Sequence, residues 1–197
     1  ATTARLLWKC DTVQVLGYRI YKSADGTNWN ILADETSLHS TTAEVALGST
    51  PEYYRVSSVL DNGAKSEGNW SNALGAANLT TGKKYLIIDG FERENASWRG
   101  AGHVFAIRYG ASIGKTSAQF ESARNSQLTT GTINLNSYDG VFWILGDEGT
   151  ETETFSSAEQ TLVKNYLEEG GRVFVSGSEV GWDLYNQGTT DDKNFYN

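Results

Sequence analysis

The sequence is poor in residues that several common kinds of site require. Its 197 residues include one cysteine, Cys10, one proline, two histidines and no methionine. A single cysteine excludes an internal disulfide framework and leaves no cysteine-rich metal motif. Because methionine is absent, we expect that residue 1 is not a natural start and that both ends of the chain are cut from a longer protein.

Long apolar runs and an excess of positive charge are also lacking. No stretch approaches the roughly 20 apolar residues of a transmembrane helix, and no basic segment followed by an apolar core marks a signal peptide. The 16 basic and 24 acidic residues give a formal net charge of -8, which argues against nucleic acid or an anionic membrane as the partner. If the protein is exported, we expect its signal upstream of residue 1.

The first 77 residues have the pattern of an antiparallel β-sandwich. They are rich in aromatic and β-branched residues that alternate with polar ones, and turn signals such as Asp25-Gly26 and Asn62-Gly63 recur about every ten residues. The pattern predicts strands over residues 5–9, 16–22, 29–32, 44–47, 53–60 and 70–73.

Apolar and polar residues follow a different pattern in the rest of the chain. Residues 78–83 are small and polar and predict a short linker. Residues 84–197 predict buried strands at 85–88, 117–122, 141–145 and 172–176, with helices over 102–113 and after Ser156. An S-x-x-E capping box formed by Ser156 and Glu159 marks the start of the second helix. Such alternation predicts a parallel sheet with helices on both faces. Four strands make a small sheet, so we expect this domain to be incomplete at its carboxyl end.

Three segments of the first part carry a recognisable pattern: LLW at residues 6–8, GYRIYKSADGTNW at 17–29 and YYRVSSVLDNGAKS at 53–66. With these segments, the first part resembles a bacterial fibronectin type III domain. It implies an all-β immunoglobulin-like sandwich over residues 1–77 that lacks its first edge strand.

Four segments of the second part carry a further pattern: YLIIDGFER at 85–93, YDGVFWILGDE at 138–148, FSSAEQ at 155–160 and GGRVFVSGSEVGWDL at 170–184. With these segments, the second part resembles the class I glutamine amidotransferase-like superfamily. More closely, this part resembles the portion that follows fibronectin type III modules in secreted bacterial proteins labelled xanthan lyase or N-acetylmuramoyl-L-alanine amidase. The resemblance implies a three-layer α/β flavodoxin-like fold, a secreted or cell-surface location, and a polysaccharide or other cell-surface ligand as partner.

The turn GSEVG at residues 177–181 directly follows a predicted strand and has the spacing of a nucleophile elbow. Its centre is Glu179, where the superfamily carries cysteine, and no histidine follows it in the chain. An elbow shifted to Ser178 would put the β-branched Val180 where a small residue belongs. The resemblance therefore implies the fold without glutaminase activity.

Five acidic residues follow strand ends in the parallel arrangement, and we expect several to share one rim: Asp89, Asp147, Glu148, Glu179 and Asp183. Clustered carboxylates can divide acid and base roles, as in glycoside hydrolysis, or hold a hard cation. The alternative, which we favour, is that they cap helices and solvate loops. Glu179, Asp147 and Glu148 are the candidate catalytic residues, and no metal ligand set or cofactor is assigned.

Aromatic residues near the same rim suggest a binding role. Trp182 and Trp98 could stack on a sugar ring, or pack beneath the following chain. Trp182 joins Ser178, Asp89 and Asp183 as the candidate substrate-binding residues. Two functional hypotheses follow: a non-catalytic module that binds carbohydrate or a protein partner, and a carboxylate- or metal-dependent enzyme acting on polysaccharide or peptidoglycan. A third, that the activity lies in residues beyond this fragment, overlaps both.

Overall fold

A computed structural model describes residues 3–61, 63–79, 82–93, 103–148 and 153–197. The chain divides into two compact units. The first comprises Ala1–Thr80 and Ala101–Gln119, and the second comprises Thr81–Gly100 and Phe120–Asn197. Three predictions fall at least partly outside the described residues: the Asn62-Gly63 turn, the middle of the linker, and Trp98.

The first unit contains two antiparallel sheets. Strands β1 (Thr3–Leu7) and β4 (Thr42–Ala46) form the smaller one, with Thr3 opposite Ala46. The larger sheet has the order β3-β2-β5-β6, and β7 pairs with the beginning of β5. Its strands are β2 (Val15–Ser23), β3 (Asn30–Ala33), β5 (Glu52–Asp61), β6 (Lys65–Trp70) and β7 (Leu74–Ala76).

The core of the first unit lies between its two sheets. Alternation along the strands turns Ile20, Val45 and Tyr54 inward, and the partly buried Leu6 and Trp8 pack against them. The predicted antiparallel sheets are therefore confirmed. The predicted strand at residues 70–73 is wrong, because β6 ends at Trp70 and β7 begins only at Leu74.

A side chain explains the break between these two strands. The Ser71 hydroxyl accepts a hydrogen bond from the Val56 amide at 3.0 Å, and the Ser71 amide donates to the Val56 carbonyl at 2.8 Å. The hydroxyl thus replaces a backbone acceptor of the β-ladder, as short polar side chains often do. The long strand β5 is consequently covered by two short strands in succession.

A helix was predicted at residues 102–113, and α1 (Phe105–Gly114) is present there. It belongs to the first unit, however, and not to the α/β part of residues 84–197 in which it was predicted. Its residues Ala106 and Ile113 are buried. The Tyr53 hydroxyl donates to the Ile107 carbonyl at 3.1 Å, and the Ala73 amide donates to the His103 carbonyl at 2.8 Å. These bonds attach the helix to strands β5 and β7.

The second unit is built on a four-stranded parallel sheet of order β11-β10-β8-β9. Strand β10 pairs in parallel with both β8 and β11. The strands are β8 (Lys84–Asp89), β9 (Gln119–Arg124), β10 (Gly140–Gly146) and β11 (Val173–Gly177). The helices are α2 (Ser126–Thr129), α3 (Ser157–Glu168) and α4 (Thr190–Tyr196), with a 3₁₀ turn at Leu135–Ser137 and a π-helical segment at Trp182–Gln187.

One apolar cluster of the second unit lies on one face of the sheet. Ile88 from β8 and Trp143 from β10 are fully buried there and belong to one apolar cluster with Val163 and Tyr166 of α3. The predicted capping box at Ser156 is present in both directions. The prediction of a parallel sheet combined with helices is therefore confirmed at the level of fold class. Within the described residues, no helix has the length and apolar character needed to cross a membrane.

Candidate functional site

The carboxyl ends of β8 and β10 lie side by side. Their register pairs Asp89 with Ile144, and the Gly90 amide extends the ladder by donating to the Ile144 carbonyl at 2.9 Å. The strand order reverses between β8 and β10, and α/β sheets commonly bind ligands at such a point. Asp89 is only 2% exposed, and its carboxylate accepts a hydrogen bond from the Phe91 amide at 3.4 Å. It therefore lies beneath the turn that follows β8.

Glu148 is the most enclosed of the predicted acids, with 1% of its surface exposed. Its Oε2 accepts hydrogen bonds from the backbone amides of Glu92 at 2.8 Å and Arg93 at 3.4 Å. Within the described residues, its Oε1 has no hydrogen-bond partner. Burial raises the pKa of this carboxyl, and the two amide bonds oppose that rise. The side chain therefore fastens the loop after β8 to the end of β10.

Asn125 joins three elements at the same edge of the sheet. Its Nδ2 donates to Glu92 Oε1 at 2.6 Å and to Glu159 Oε1 at 2.8 Å. The second oxygen of Glu159 accepts from the amide and hydroxyl of Ser156, which caps α3. Asn125 and Glu159 are both buried. This network holds the end of β9, the loop after β8 and the beginning of α3 together.

The predicted elbow has the backbone of a tight, strained turn. Glu179 has a φ of 59°, in the left-handed region that non-glycine residues rarely occupy. A Cβ at Gly177 would come within 2.6 Å of Leu145 Cβ, so a small residue is needed before the bend. The Glu179 side chain is exposed, and its carboxylate forms no hydrogen bond or ion pair with the described part of the chain.

The other predicted site residues have different surroundings. Ser178 is exposed at the elbow, and its amide donates to the Gly146 carbonyl at 2.8 Å. Asp183 accepts hydrogen bonds from both the amide and the hydroxyl of Thr154, so its carboxylate holds that segment in place. Asp147 is partly buried, and its carbonyl accepts from Arg93 Nη1 at 3.3 Å.

Three exposed aromatic side chains follow the elbow. Trp182 is 51% exposed, Tyr185 is 48% exposed, and Tyr196 of α4 is 52% exposed. The rings of Tyr185 and Tyr196 contact each other with centroids 5.7 Å apart. Leu184, in the same π-helical segment, is buried in the core and anchors it. Sequence reasoning identified Trp182 but missed the two tyrosines, although their spacing after the elbow was visible.

Five of the seven predicted residues therefore fall into two sets. Asp89 and Glu148 are buried around the turn after β8, whereas Ser178, Glu179 and Trp182 are exposed on the elbow and the segment that follows it. A search of the described residues finds no group of three or more histidine, cysteine or acidic side chains able to hold a metal ion.

A cavity of about 300 Å³ is present elsewhere in the second unit. It is lined by residues at the amino ends of β8, β10 and β11, including Lys83, Asp139 and Arg172. Lys83 and Asp139 already form an ion pair at 2.7 Å. The cavity thus lies at the edge of the sheet opposite the elbow and contains none of the predicted site residues.

No protein-family model matches this chain, and neither a curated protein nor a solved structure matches it.

Proposed function

We propose that this chain is a non-catalytic carbohydrate-binding portion of a secreted bacterial protein that acts on polysaccharide or the cell wall. In this proposal, a fibronectin type III-like sandwich precedes a domain of the glutamine amidotransferase-like type. The strand order β9-β8-β10-β11 supports the second assignment, because flavodoxin-like sheets begin with the order 2-1-3-4. The core enclosed between two antiparallel sheets supports the first.

The exposed elbow is the observation that carries the proposal. Glu179 sits at its tip in the left-handed conformation, with no partner among the described residues, and the half-exposed Trp182 follows three residues later. An indole face suits the apolar face of a pyranose, and a carboxylate accepts hydrogen bonds from sugar hydroxyls. The chain supplies this surface without a cysteine or histidine beside it, so binding accounts for the elbow better than covalent catalysis does.

A glycan array probed with the whole chain tests the proposal. We expect binding to polysaccharide or peptidoglycan fragments, and we expect Trp182→Ala to weaken it by about threefold to tenfold, the usual worth of an aromatic contact. Phe174→Ala is the matched control, because Phe174 is 55% exposed on the neighbouring strand β11. Equal losses in both variants, or no binding by the wild-type chain, would contradict the proposal.

Glu148 provides the one observation that favours an enzyme instead. Its pKa is raised by burial and one of its oxygens has no partner among the described residues, as expected of a general acid. Release of new reducing ends or peptides from the bound glycan would support this alternative. In that case Glu148→Gln should abolish turnover while binding is retained, and Glu179→Gln should show whether the elbow acid takes part.

A further inference from the structure

A second cavity, of about 310 Å³, lies within the first unit and shares no residue with the elbow. Its volume is at the lower end of the range for small-molecule sites, which is roughly 300–1,000 Å³. Its lining includes Trp29, Arg55, Asn69 and Trp70. A guanidinium and two indoles therefore surround a space large enough for one sugar residue.

Arg55 is held in this cavity by aromatic rings rather than by acceptors. Its guanidinium carbon lies 3.3 Å from the ring centroid of Trp70, 4.2 Å from that of Trp29 and 5.4 Å from that of Tyr21. Its Nε is buried without an acceptor, and the described residues offer no hydrogen bond or ion pair to the rest of the guanidinium. The terminal amines of Arg55 are not buried in the way that Nε is, so they are the donors that an acceptor from outside can reach.

Glu67 is the carboxylate of the sheet that acts electrostatically on Arg55, and it already accepts hydrogen bonds from other donors. Glu67 Oε1 accepts from the hydroxyls of Tyr21 and Ser57, each at 2.6 Å, and from Trp70 Nε1 at 3.2 Å. Its Oε2 accepts from Arg19 Nη1 at 2.8 Å. These four donors engage both oxygens of the carboxylate, and none of them comes from Arg55, so no contact neutralises the positive charge of Arg55 within the described residues.

The walls of the cavity are fixed before any ligand arrives. Trp70 is oriented by its bond to Glu67, and Trp29 Nε1 donates to the Gly26 carbonyl at 3.1 Å. Half of the Trp70 surface remains exposed. A site with oriented rings and a positioned guanidinium loses little conformational entropy when it binds.

We propose that this cavity binds a carboxylated sugar, a uronic acid residue of an acidic polysaccharide. The sugar carboxylate accepts hydrogen bonds from the guanidinium of Arg55, and the pyranose ring packs on the exposed part of the Trp70 indole. The side chain of Asn69 lies at the cavity wall, within reach of sugar hydroxyls. An acidic peptide side chain offers the same carboxylate but has no ring to cover the indole, so the aromatic walls favour the sugar.

Titration of the ¹⁵N-labelled whole chain tests the proposal without any variant. Methyl β-D-glucuronide is expected to shift the Arg55 Nε–H signal and the indole signals of Trp29 and Trp70, with saturation in the millimolar range. Methyl β-D-glucoside has the same ring without the carboxylate and is expected to bind about tenfold or more weakly, because a charge-assisted hydrogen bond is lost. N-acetylaspartate amide supplies the carboxylate without the ring and is also expected to bind more weakly.

Substitutions then assign the site. Arg55→Lys keeps the charge but loses the planar donors, and it is expected to weaken glucuronide binding by about tenfold or more. Arg5→Lys, on the small sheet, is the matched control and should leave binding unchanged. Urea unfolding of each variant separates a loss of binding from a loss of folding, and Trp182→Ala should leave this site unaffected.

Three results would overturn the proposal. Equal affinity for the glucuronide and the glucoside would show that the carboxylate is not recognised. Equal affinity for the aspartate compound and the glucuronide would show that the sugar ring is not recognised. Unchanged glucuronide binding in a folded Arg55→Lys variant would show that Arg55 does not bind the carboxylate. None of these results bears on the elbow of the second unit.

Discussion

Glu179 occupies a backbone conformation that an L-amino acid adopts only at a cost. Its φ of 59° brings the Cβ close to neighbouring backbone atoms, and such a residue persists where the surrounding structure imposes the bend. Here the bend is imposed by the close approach of Gly177 to Leu145 and by the hydrogen bond from the Asp183 amide to the Glu179 carbonyl. The elbow is therefore strained, and its tip carries a carboxylate in place of a cysteine or serine.

This strain predicts that Glu179→Gly increases stability. Glycine has no Cβ to clash at positive φ, although it gains more freedom in the unfolded chain, so we expect a net gain of about 0.5–1 kcal/mol. The free energy of unfolding in urea measures it. Glu168→Gly, at the last residue of α3, is the matched control and should lose about 0.5–1 kcal/mol. A loss of stability at both positions would show that the elbow is not strained.

At the scale of elements, the network around Asn125 holds three segments that are distant in sequence. Its two donor bonds join residues 33 and 34 positions away, and the residues they reach are Glu92 and Glu159. Removal of Asn125 would leave the buried Oε1 of Glu159 without this donor, and a buried acceptor without a donor costs more than the bond itself contributes. The edge of the sheet that carries the turn after β8 therefore depends on one amide group.

We expect Asn125→Ala to lower the free energy of unfolding by about 2–3 kcal/mol. Asn136→Ala is the control, because Asn136 donates to Glu169 in an exposed setting and should cost less than about 0.5 kcal/mol. Hydrogen exchange of the loop at residues 91–93 should rise in the first variant alone. Equal and small losses of unfolding free energy in both variants would mean that the hydrogen bonds of Asn125 do not stabilise the fold.

The elements that local signals determine could be predicted from the sequence. The capping box at Ser156 and Glu159 marked the beginning of α3, and apolar runs marked the strands. The helix α4 was missed, although Thr189 and Asp192 form a similar capping box whose carboxylate also accepts from Gln160.

The candidate site was harder to predict than the elements. Sequence reasoning located the elbow but could not show that Glu148 points inward, or that Asn125 links loops, because both facts depend on contacts across more than thirty residues. The break between β6 and β7 after Trp70 was missed for a similar reason, because the Ser71 hydroxyl accepts a hydrogen bond from the amide of Val56, 15 residues earlier in the chain.

At the scale of the whole molecule, the two units carry carboxyl groups that are perturbed in opposite directions. In the first unit, hydrogen bonds from Arg19 and Lys65 lower the pKa of Glu35 to about 2. Burial acts to raise the pKa of Glu67, but hydrogen bonds from Ser57, Tyr21, Arg19 and Trp70 outweigh it and lower the pKa to about 2. In the second unit, burial raises the pKa of Glu148 above its ordinary value of 4.5.

These shifts predict opposite responses of the two units to acid. A lowered pKa contributes stability that is present above the unfolded value of 4.5 and is lost as the pH falls towards 2. A raised carboxyl pKa has the reverse effect, because the folded state binds the proton first, so stability increases as the pH falls through the folded pKa to 4.5. The lowered pKa values of Asp139 and Asp192 affect the second unit only near and below 3.8.

Hydrogen exchange measured by mass spectrometry between pH 7 and pH 3 can follow each unit separately. After correction for the intrinsic exchange rate, protection of β10 should increase between pH 7 and 4.5, and protection of β2 and β5 should fall below pH 4.5. Glu148→Gln should reduce the increase in β10, because glutamine does not titrate, and leave the first unit unchanged; Glu153, whose pKa is also raised by burial, keeps its contribution. Glu67→Gln should reduce the loss of protection of β2 and β5 in acid. It should also lower the free energy of unfolding by about 1–2 kcal/mol at neutral pH, because hydrogen bonds to a neutral acceptor are weaker.

A steady loss of protection of β10 from pH 7 downward in the wild-type chain would contradict the prediction. It would mean that the pKa of Glu148 is not raised in the folded state, and Glu148 would then no longer support the enzymatic alternative.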